Sequence, residues 1–138
     1  MILIDTNVLV ALVDERDRLH KKAVRDLRKH RGPFGVTSVV LSESCFLLEE
    51  GYLRRRLVAL LERLPVIAIE PESPWWSDVF TWLDRFAEHT PDLCDALLVM
   101  LSSRLSAPIW TYDAEFRQVW RRPDGKPVSL VTVARAGS

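Results

Sequence analysis

The sequence predicts an α/β fold with a central parallel sheet. Five short apolar segments alternate with longer segments of helical character, and this order favours right-handed crossovers, parallel strands and helices on both faces of the sheet. The predicted strands are Ile2–Ile4, Phe34–Val36, Val66–Ile69, Ile109–Tyr112 and Leu130–Val133. A length of 138 residues suits one domain, so we expect 1–138 to form a single unit with a short tail at 134–138.

Polar caps and helix-breaking residues set the predicted helix boundaries. Thr37 or Ser38 can cap a helix that runs to about Glu50 and ends at Gly51. Pro65 stops the helix after that one. A helix-rich stretch follows the first predicted strand, with Asp14–Arg31 as its most charged part, and further helices are predicted at 54–64, 75–88 and 92–105.

The segment Trp75–Glu88 has the clearest helical periodicity in the chain. At 100° per residue its apolar side chains share one arc and its polar side chains the other. Most of this arc is expected to face the core, although an interface or a surface for stacking RNA fits the pattern too. Because the arc spans about 160°, more than one packing contact needs, we expect a homodimer. Part of the arc, or the helices beside Glu43, would form its interface.

Composition excludes several classes of protein. The 19 basic residues balance 19 acidic ones, which excludes an overall basic nucleic-acid-binding protein but not a local basic patch. Cys45 and Cys94 lie far apart without a CxxC motif, so neither a zinc cluster nor a disulfide framework is expected. Asp5 interrupts the first apolar run, and the longest runs are too short to cross a bilayer. We therefore expect a cytoplasmic protein without a signal peptide or a membrane span.

Two acids follow predicted strands directly. Asp5 comes after Ile2–Ile4 and Asp113 after Ile109–Tyr112. Ligands of open α/β sheets bind beyond the carboxyl ends of the strands, so both acids are candidates for a shared site. The alternative is that each one only starts a turn or caps a helix.

Three more acids lie on predicted helices. Glu43 has Val39, Val40, Phe46 and Leu47 on its own helical face, where a carboxylate is costly unless it is paired or bound to a cation, or extends to water at the helix edge. Asp92 and Asp95 begin another helix at capping-box spacing. Asp92 can act as the cap while Asp95, one turn further on, faces the same rim.

Several acids that converge on one rim cannot all stay ionised without a cation. Their oxygens are hard ligands, and the pattern includes no His or Cys among them, which indicates Mg²⁺ or Mn²⁺ rather than zinc. A divalent ion held by carboxylates activates water for phosphodiester hydrolysis. A haloacid-dehalogenase-like phosphatase is not favoured, because it needs a second Asp where this chain has Asn7.

The ordered set of motifs resembles the PIN-domain nucleases. It comprises Asp5-Thr6-Asn7-Val8-Leu9, Ser38 followed by Glu43, Asp95-Ala96-Leu97-Leu98, and Thr111-x-Asp113-x-x-Phe116, with Asp17-x-x-His20-x-x-Ala23 in the first helical region. In size the chain resembles the VapC toxins of bacterial toxin–antitoxin pairs. Ser102-Ser103 departs from the Ala-rich continuation usual in the third motif but leaves every acid in place.

This resemblance implies a PIN-like fold with strand order 3-2-1-4-5. It implies an endoribonuclease dependent on Mg²⁺ or Mn²⁺, with an RNA substrate and a cognate antitoxin protein as partner. The implied catalytic residues, which are also the metal ligands, are Asp5, Glu43, Asp95 and Asp113. Asp92 matches an auxiliary acid of some members.

Other polar residues near the motifs are assigned supporting roles. Thr6, Asn7 and Thr111 can orient the carboxylates, although ordinary turn chemistry explains each of them equally well. Arg121 and Arg122 are the candidates for contacting RNA phosphates because they follow the fourth motif closely. An alternative function is a catalytically weak PIN-like scaffold that binds RNA or protein outside any toxin–antitoxin pair.

Overall fold

The sheet is parallel, as predicted. The computed structural model describes residues 1–131 and contains four strands: β1 (Ile2–Ile4), β2 (Phe34–Val36), β3 (Val66–Ala68) and β4 (Ile109–Trp110). Their order is β3-β2-β1-β4, and every pair of neighbours is parallel. This arrangement confirms the α/β class and the first four positions of the predicted order.

The predicted fifth strand is reduced to a single bridge in the described residues. Leu130 forms an isolated parallel bridge with Ile109, supported by a hydrogen bond from Val131 N to the Ile109 carbonyl at 3.0 Å. This bridge lies beside β4, where the order 3-2-1-4-5 places the fifth strand. The last residues of the predicted strand, 132–133, lie outside the described part of the chain, as does the predicted tail.

Helices connect the strands. They are α1 (Thr6–Val13), α2 (His20–Leu27), α3 (Ser38–Leu47), α4 (Gly51–Arg63), α5 (Trp76–Arg85), α6 (Leu93–Leu105) and the short α7 (Glu115–Gln118). Thr37 caps α3 as predicted, with its hydroxyl accepting from Val40 N at 3.0 Å. The role predicted for Gly51 is wrong, since α3 already ends at Leu47 and Gly51 opens α4.

Buried side chains cover both faces of the sheet. Leu3 and Ile4 are adjacent in β1, so their side chains point to opposite faces, and both are fully buried. The helix α6 is buried over most of its length, from Cys94 to Ser102 apart from Asp95. A core of this kind fixes the strand ends and the start of α6 relative to one another.

The apolar arc of Trp75–Glu88 is only partly buried, since two of its eight apolar residues lie in the core and most of the others are half-buried. The helix itself, α5, is shorter than predicted and is flanked by 3₁₀ turns at Ser73–Trp75 and Ala87–His89. Trp82 lies in the core, where its ring packs edge-on against Trp120 with centroids 5.4 Å apart. Phe80, by contrast, is 59% exposed. Among residues 1–131, no helix combines the length and the apolar character needed to span a membrane.

Candidate active site

The pairing of β1 with β4 places Asp5 beside Thr111. Ile4 and Trp110 are partners in the ladder, so the next residue of each strand emerges at the same edge. Asp5 N donates to the Trp110 carbonyl at 3.0 Å. Both oxygens of the Asp5 carboxylate are also engaged: Oδ1 accepts from Thr6 N and Oδ2 from the Thr111 hydroxyl, each at 2.7 Å. The carboxylate is thereby fixed in one orientation.

Asp113 is tied to the same hydroxyl. Its backbone N–H donates to Thr111 Oγ1 at 3.0 Å, and its Oδ1 accepts from Glu115 N at 2.9 Å at the start of α7. Asn7 binds this loop from α1, because its Oδ1 accepts from Tyr112 N at 3.1 Å. Thr111 and Asn7 therefore both link β1–α1 to the loop after β4, an arrangement that suits the supporting roles expected of them.

Asp92 and Asp95 form a capping box at the start of α6. Asp92 Oδ1 accepts from Asp95 N at 2.8 Å, and Asp95 Oδ2 accepts from Asp92 N at 3.1 Å. Burial, together with the nearby carboxylates of Asp92 and Asp5, raises the pKa of Asp95 to about 8. The two acids thus cap the helix, and Asp95 keeps its proton near neutral pH as long as no cation compensates the neighbouring charges.

Cys94 lies among the acids, which the sequence reasoning missed. Its Sγ is 3.8 Å from Asp5 Oδ1, and donor atoms of Glu43, Asp92 and Cys94 all lie within 4.8 Å of one another. The expectation that no Cys accompanies the acids is therefore wrong. Burial, with Asp5 next to it, raises the pKa of this thiol and keeps it protonated. Its place in the first turn of α6, next to Asp95, was the signal available in the sequence.

Glu43 is half-buried rather than enclosed. Of the apolar neighbours that predicted its burial, Val40 is in the core, but Phe46 and Leu47 are 76% and 53% exposed. The carboxylate therefore lies at the boundary between the core and the surface. Its negative charge is close enough to Asp5 to raise the pKa of that residue.

Asp5 is the most buried acid of the set, at 6% exposure. Burial, with a smaller contribution from the charges of Glu43 and Asp113, outweighs the hydrogen bonds that lower its pKa and raises that pKa to about 6. Within residues 1–131, no lysine or arginine forms an ion pair with Asp5, Glu43, Asp95 or Asp113. The negative charge that converges here lacks a protein cation to balance it, and carboxylate oxygens in this number suit a hard divalent ion.

The predicted RNA-binding arginines make contacts within the protein. Arg121 donates to the carbonyls of Arg117 and Trp120, and Arg122 pairs with Asp124 at 3.1 Å. Arg117, which the sequence reasoning did not select, lines a cavity together with Asp113.

A family model for the PIN domain matches residues 2–121. The chain belongs to the PIN-domain family. No curated protein sequence matches this PIN domain. Among solved structures it is similar to Mycobacterium tuberculosis VapC20, described as a sarcin–ricin loop cleaving toxin, with TM-score 0.72, 21% identity and coverage of 83% of this chain and 92% of that one.

Two other similar structures are toxin–antitoxin assemblies. VapBC2 from Rickettsia felis, bound to a DNA fragment from its promoter, matches with TM-score 0.66 and 18% identity, covering 97% of this PIN domain and 100% of that chain. A toxin–antitoxin complex from Klebsiella pneumoniae matches with TM-score 0.59 and 17% identity, covering 83% and 88%. At these identities the likeness establishes the fold.

We predict that Asp5→Asn stabilises the metal-free protein. Folding raises the pKa of Asp5 from 3.8 to about 6, so the folded state holds this proton more tightly. Ionisation of Asp5 in the folded protein therefore lowers the free energy of unfolding by about 2–3 kcal/mol. This loss is absent below pH 3.8 and complete above about pH 6. In EDTA at pH 7.5 we expect the melting temperature to rise by about 5–10 °C, and the gain should disappear near pH 4. A large loss of stability at pH 7.5 would instead identify Asp5 as a structural cap.

Proposed function

We propose that this PIN domain is a divalent-metal-dependent endoribonuclease, the toxin of a VapC-type toxin–antitoxin pair, acting in the cytoplasm. The observation that carries the proposal is the buried Asp5 carboxylate, turned toward other acids without a balancing protein cation. The similarity to a toxin that cleaves the sarcin–ricin loop supports RNA as the substrate class.

The residues proposed to hold Mg²⁺ or Mn²⁺ are Asp5, Glu43, Asp95 and Asp113. Their donors are all carboxylate oxygens, which these ions prefer. Asp92 and Cys94 also approach Glu43, but the Cys94 sulfur is a soft donor, which Mg²⁺ and Mn²⁺ do not prefer. The four carboxylates are accordingly the better ligands for Mg²⁺ or Mn²⁺, and Asp92 is assigned as an auxiliary acid.

The protein contributes orientation and charge to the reaction. When bound, the divalent ion supplies a nucleophilic water and neutralises charge on the phosphate. Thr6 N and the Thr111 hydroxyl hold Asp5 in one rotamer, and Asn7 fixes the backbone next to Asp113. These contacts set the positions of the acids before substrate arrives, which lowers the reorganisation needed during catalysis.

The three histidines are engaged elsewhere. His20 Nδ1 lies 2.7 Å from the Ala11 carbonyl, His30 packs edge-on against Trp110, and His89 packs against Trp120. None of them is available to activate a ribose 2′-hydroxyl at the acid cluster. Cleavage should therefore leave a 5′-phosphate and a 3′-hydroxyl rather than a 2′,3′-cyclic phosphate.

An antitoxin and a second copy of the chain are the proposed protein partners. The unbalanced acidic rim attracts a guanidinium group. Phe46 and Leu47 lie exposed on α3, the helix that carries Glu43, and offer apolar contact area next to the rim. Phe80 on α5 is an exposed large side chain of the arc predicted to form an interface. The toxin–antitoxin assemblies among the similar structures support the antitoxin.

We predict that cleavage of single-stranded RNA requires a divalent ion and Glu43. EDTA should abolish cleavage, and added Mg²⁺ or Mn²⁺ should restore it. Glu43→Gln should lower the rate at least about a hundredfold and weaken Mn²⁺ binding measured by calorimetry. Mapping of the product ends should show 5′-phosphates.

The matched control is Glu62→Gln, the same change at an exposed position on α4. It should leave cleavage and Mn²⁺ binding unaltered. Full activity in excess EDTA, or cyclic-phosphate ends, would refute the proposed chemistry. RNA binding without Mn²⁺ binding or cleavage would support the alternative of a catalytically weak scaffold.

We predict that an antitoxin peptide bearing arginine inhibits the nuclease. Replacing that arginine by alanine should weaken inhibition, and rising salt should weaken inhibition by the parent peptide, because the contact is between charges. Equal inhibition without the arginine and at every ionic strength would show that the acidic rim is not what the peptide recognises.

We predict a homodimer in solution. Light scattering during size-exclusion chromatography should give twice the chain mass, and Phe46→Asp or Phe80→Asp should shift it toward the monomer, depending on which surface is used. A monomer at high micromolar concentration, both alone and with the co-expressed antitoxin, would contradict this prediction.

A further inference from the structure

A cavity of about 220 Å³ lies next to Asp113. It is lined by the loop after β4, by α7 and by Leu130. We propose that this cavity binds one base of a single-stranded RNA next to the phosphodiester bond that is cut. Tyr112 and Leu130 would contact the base, Gln118 its polar edge, and Arg117 the neighbouring phosphate. The inference rests on the proposed nuclease function and adds a binding subsite to it.

The size of the cavity fits part of a longer ligand. Pockets that bury a whole small molecule usually measure about 300–1,000 Å³, and this cavity is smaller. It shares Thr111 and Asp113 with the acid cluster, so a group bound in it would lie directly beside the reacting phosphate. One base of an RNA strand that continues across the acids is small enough for this cavity and lies beside the phosphate that reacts.

Tyr112, one of the residues that line the cavity, is held by two hydrogen bonds. Tyr112 Oη donates to Asp26 Oδ2 on α2 at 2.8 Å, and Tyr112 N donates to Asn7 at 3.1 Å. Asp26 is itself buried and also accepts from Lys22 at 3.1 Å. A ring held in this way loses little conformational freedom on binding, and aromatic side chains provide the contact surface for unstacked RNA bases.

Arg117 supplies the positive charge. Among the described residues that line the cavity it is the one basic residue; it is exposed, and no acid of residues 1–131 forms an ion pair with it. Glu115, exposed on the same helix, is its acidic neighbour in sequence. Phosphate contacts set the position of a nucleic acid, whereas contacts to base edges confer preference. Arg117 and Gln118 are adjacent on α7. Arg117 would contact the phosphate, and Gln118 would contact the edge of the base.

The described lining of the cavity carries one positive group, Arg117, and one negative group, Asp113, and Arg117 is the group that favours RNA. An antitoxin segment that inserts an arginine among the acids would bring positive charge toward Arg117 and be repelled by it. An RNA strand presents negative charge to Arg117 and a neutral base to the apolar wall.

Binding of RNA in EDTA tests the subsite without cleavage. The probe is a fluorescein-labelled single-stranded RNA of about 12 nucleotides and mixed sequence, followed by fluorescence anisotropy. Arg117→Ala and Tyr112→Leu should each weaken binding about fivefold to tenfold. The matched control is Arg63→Ala, an exposed arginine near the end of α4, which leads to β3 at the opposite edge of the sheet. It should change binding much less. Melting curves verify that each variant folds.

Cleavage then tests the position of the subsite. Arg117→Ala should raise KM more than it lowers kcat, and Gln118→Ala should alter which base is preferred next to the cut. Unchanged binding and unchanged cut sites in all three cavity variants would overturn the inference while leaving the nuclease intact. Loss of antitoxin-peptide binding in Arg117→Ala, with RNA binding retained, would assign the cavity to the protein partner and overturn it as well. RNA binding that depends on Arg117 without any cleavage would refute the nuclease but retain the subsite.

Discussion

The Asp5 carboxylate is almost fully buried, is held between the Thr6 amide and the Thr111 hydroxyl, and has no cationic side chain paired with it in residues 1–131. Placing charge there is unfavourable for the folded chain alone. The surrounding elements maintain this arrangement nonetheless, because the β1–β4 ladder brings Asp5 and Thr111 to one edge and the buried helix α6 brings Asp95 and Cys94. The packing that stabilises the fold therefore also holds these acids close together, where their negative charges repel one another.

Much of the architecture follows from local sequence signals. Short apolar segments between helices predict the parallel sheet, and the residues directly after strands 1 and 4 predict Asp5 and the Thr111–Asp113 loop at its edge. The resemblance to a family supplied the strand order, since alternation by itself does not say which strands are neighbours. Boundaries were less predictable: Gly51 is typical of a helix end, yet an N-terminal helical position tolerates glycine as well.

The details of the site depend on packing, which a single sequence does not specify. From the sequence, Cys94 is indistinguishable from an ordinary core residue. Only the orientation of α6 places it beside Asp5. Arg121 and Arg122 follow the fourth motif in sequence, but the turn at 122–125 and the carbonyls at the end of α7 engage their side chains. Tyr112 reaches Asp26 across 86 residues, a contact that no periodicity predicts. Each of these features arises from contacts between segments distant in sequence.

The capping box of α6 has a consequence for how this protein can change. Asp92 and Asp95 satisfy backbone donors at the start of the most buried helix, and that task needs only a short polar side chain that accepts hydrogen bonds. Asparagine performs it too, without the charge that the proposed metal site uses. A single base change in the Asp95 codon would therefore remove a proposed ligand while the helix, the core and the outer surface persist. Under the proposed function, such a copy would still occupy the binding partners, so a folded but inert form would compete with the active one.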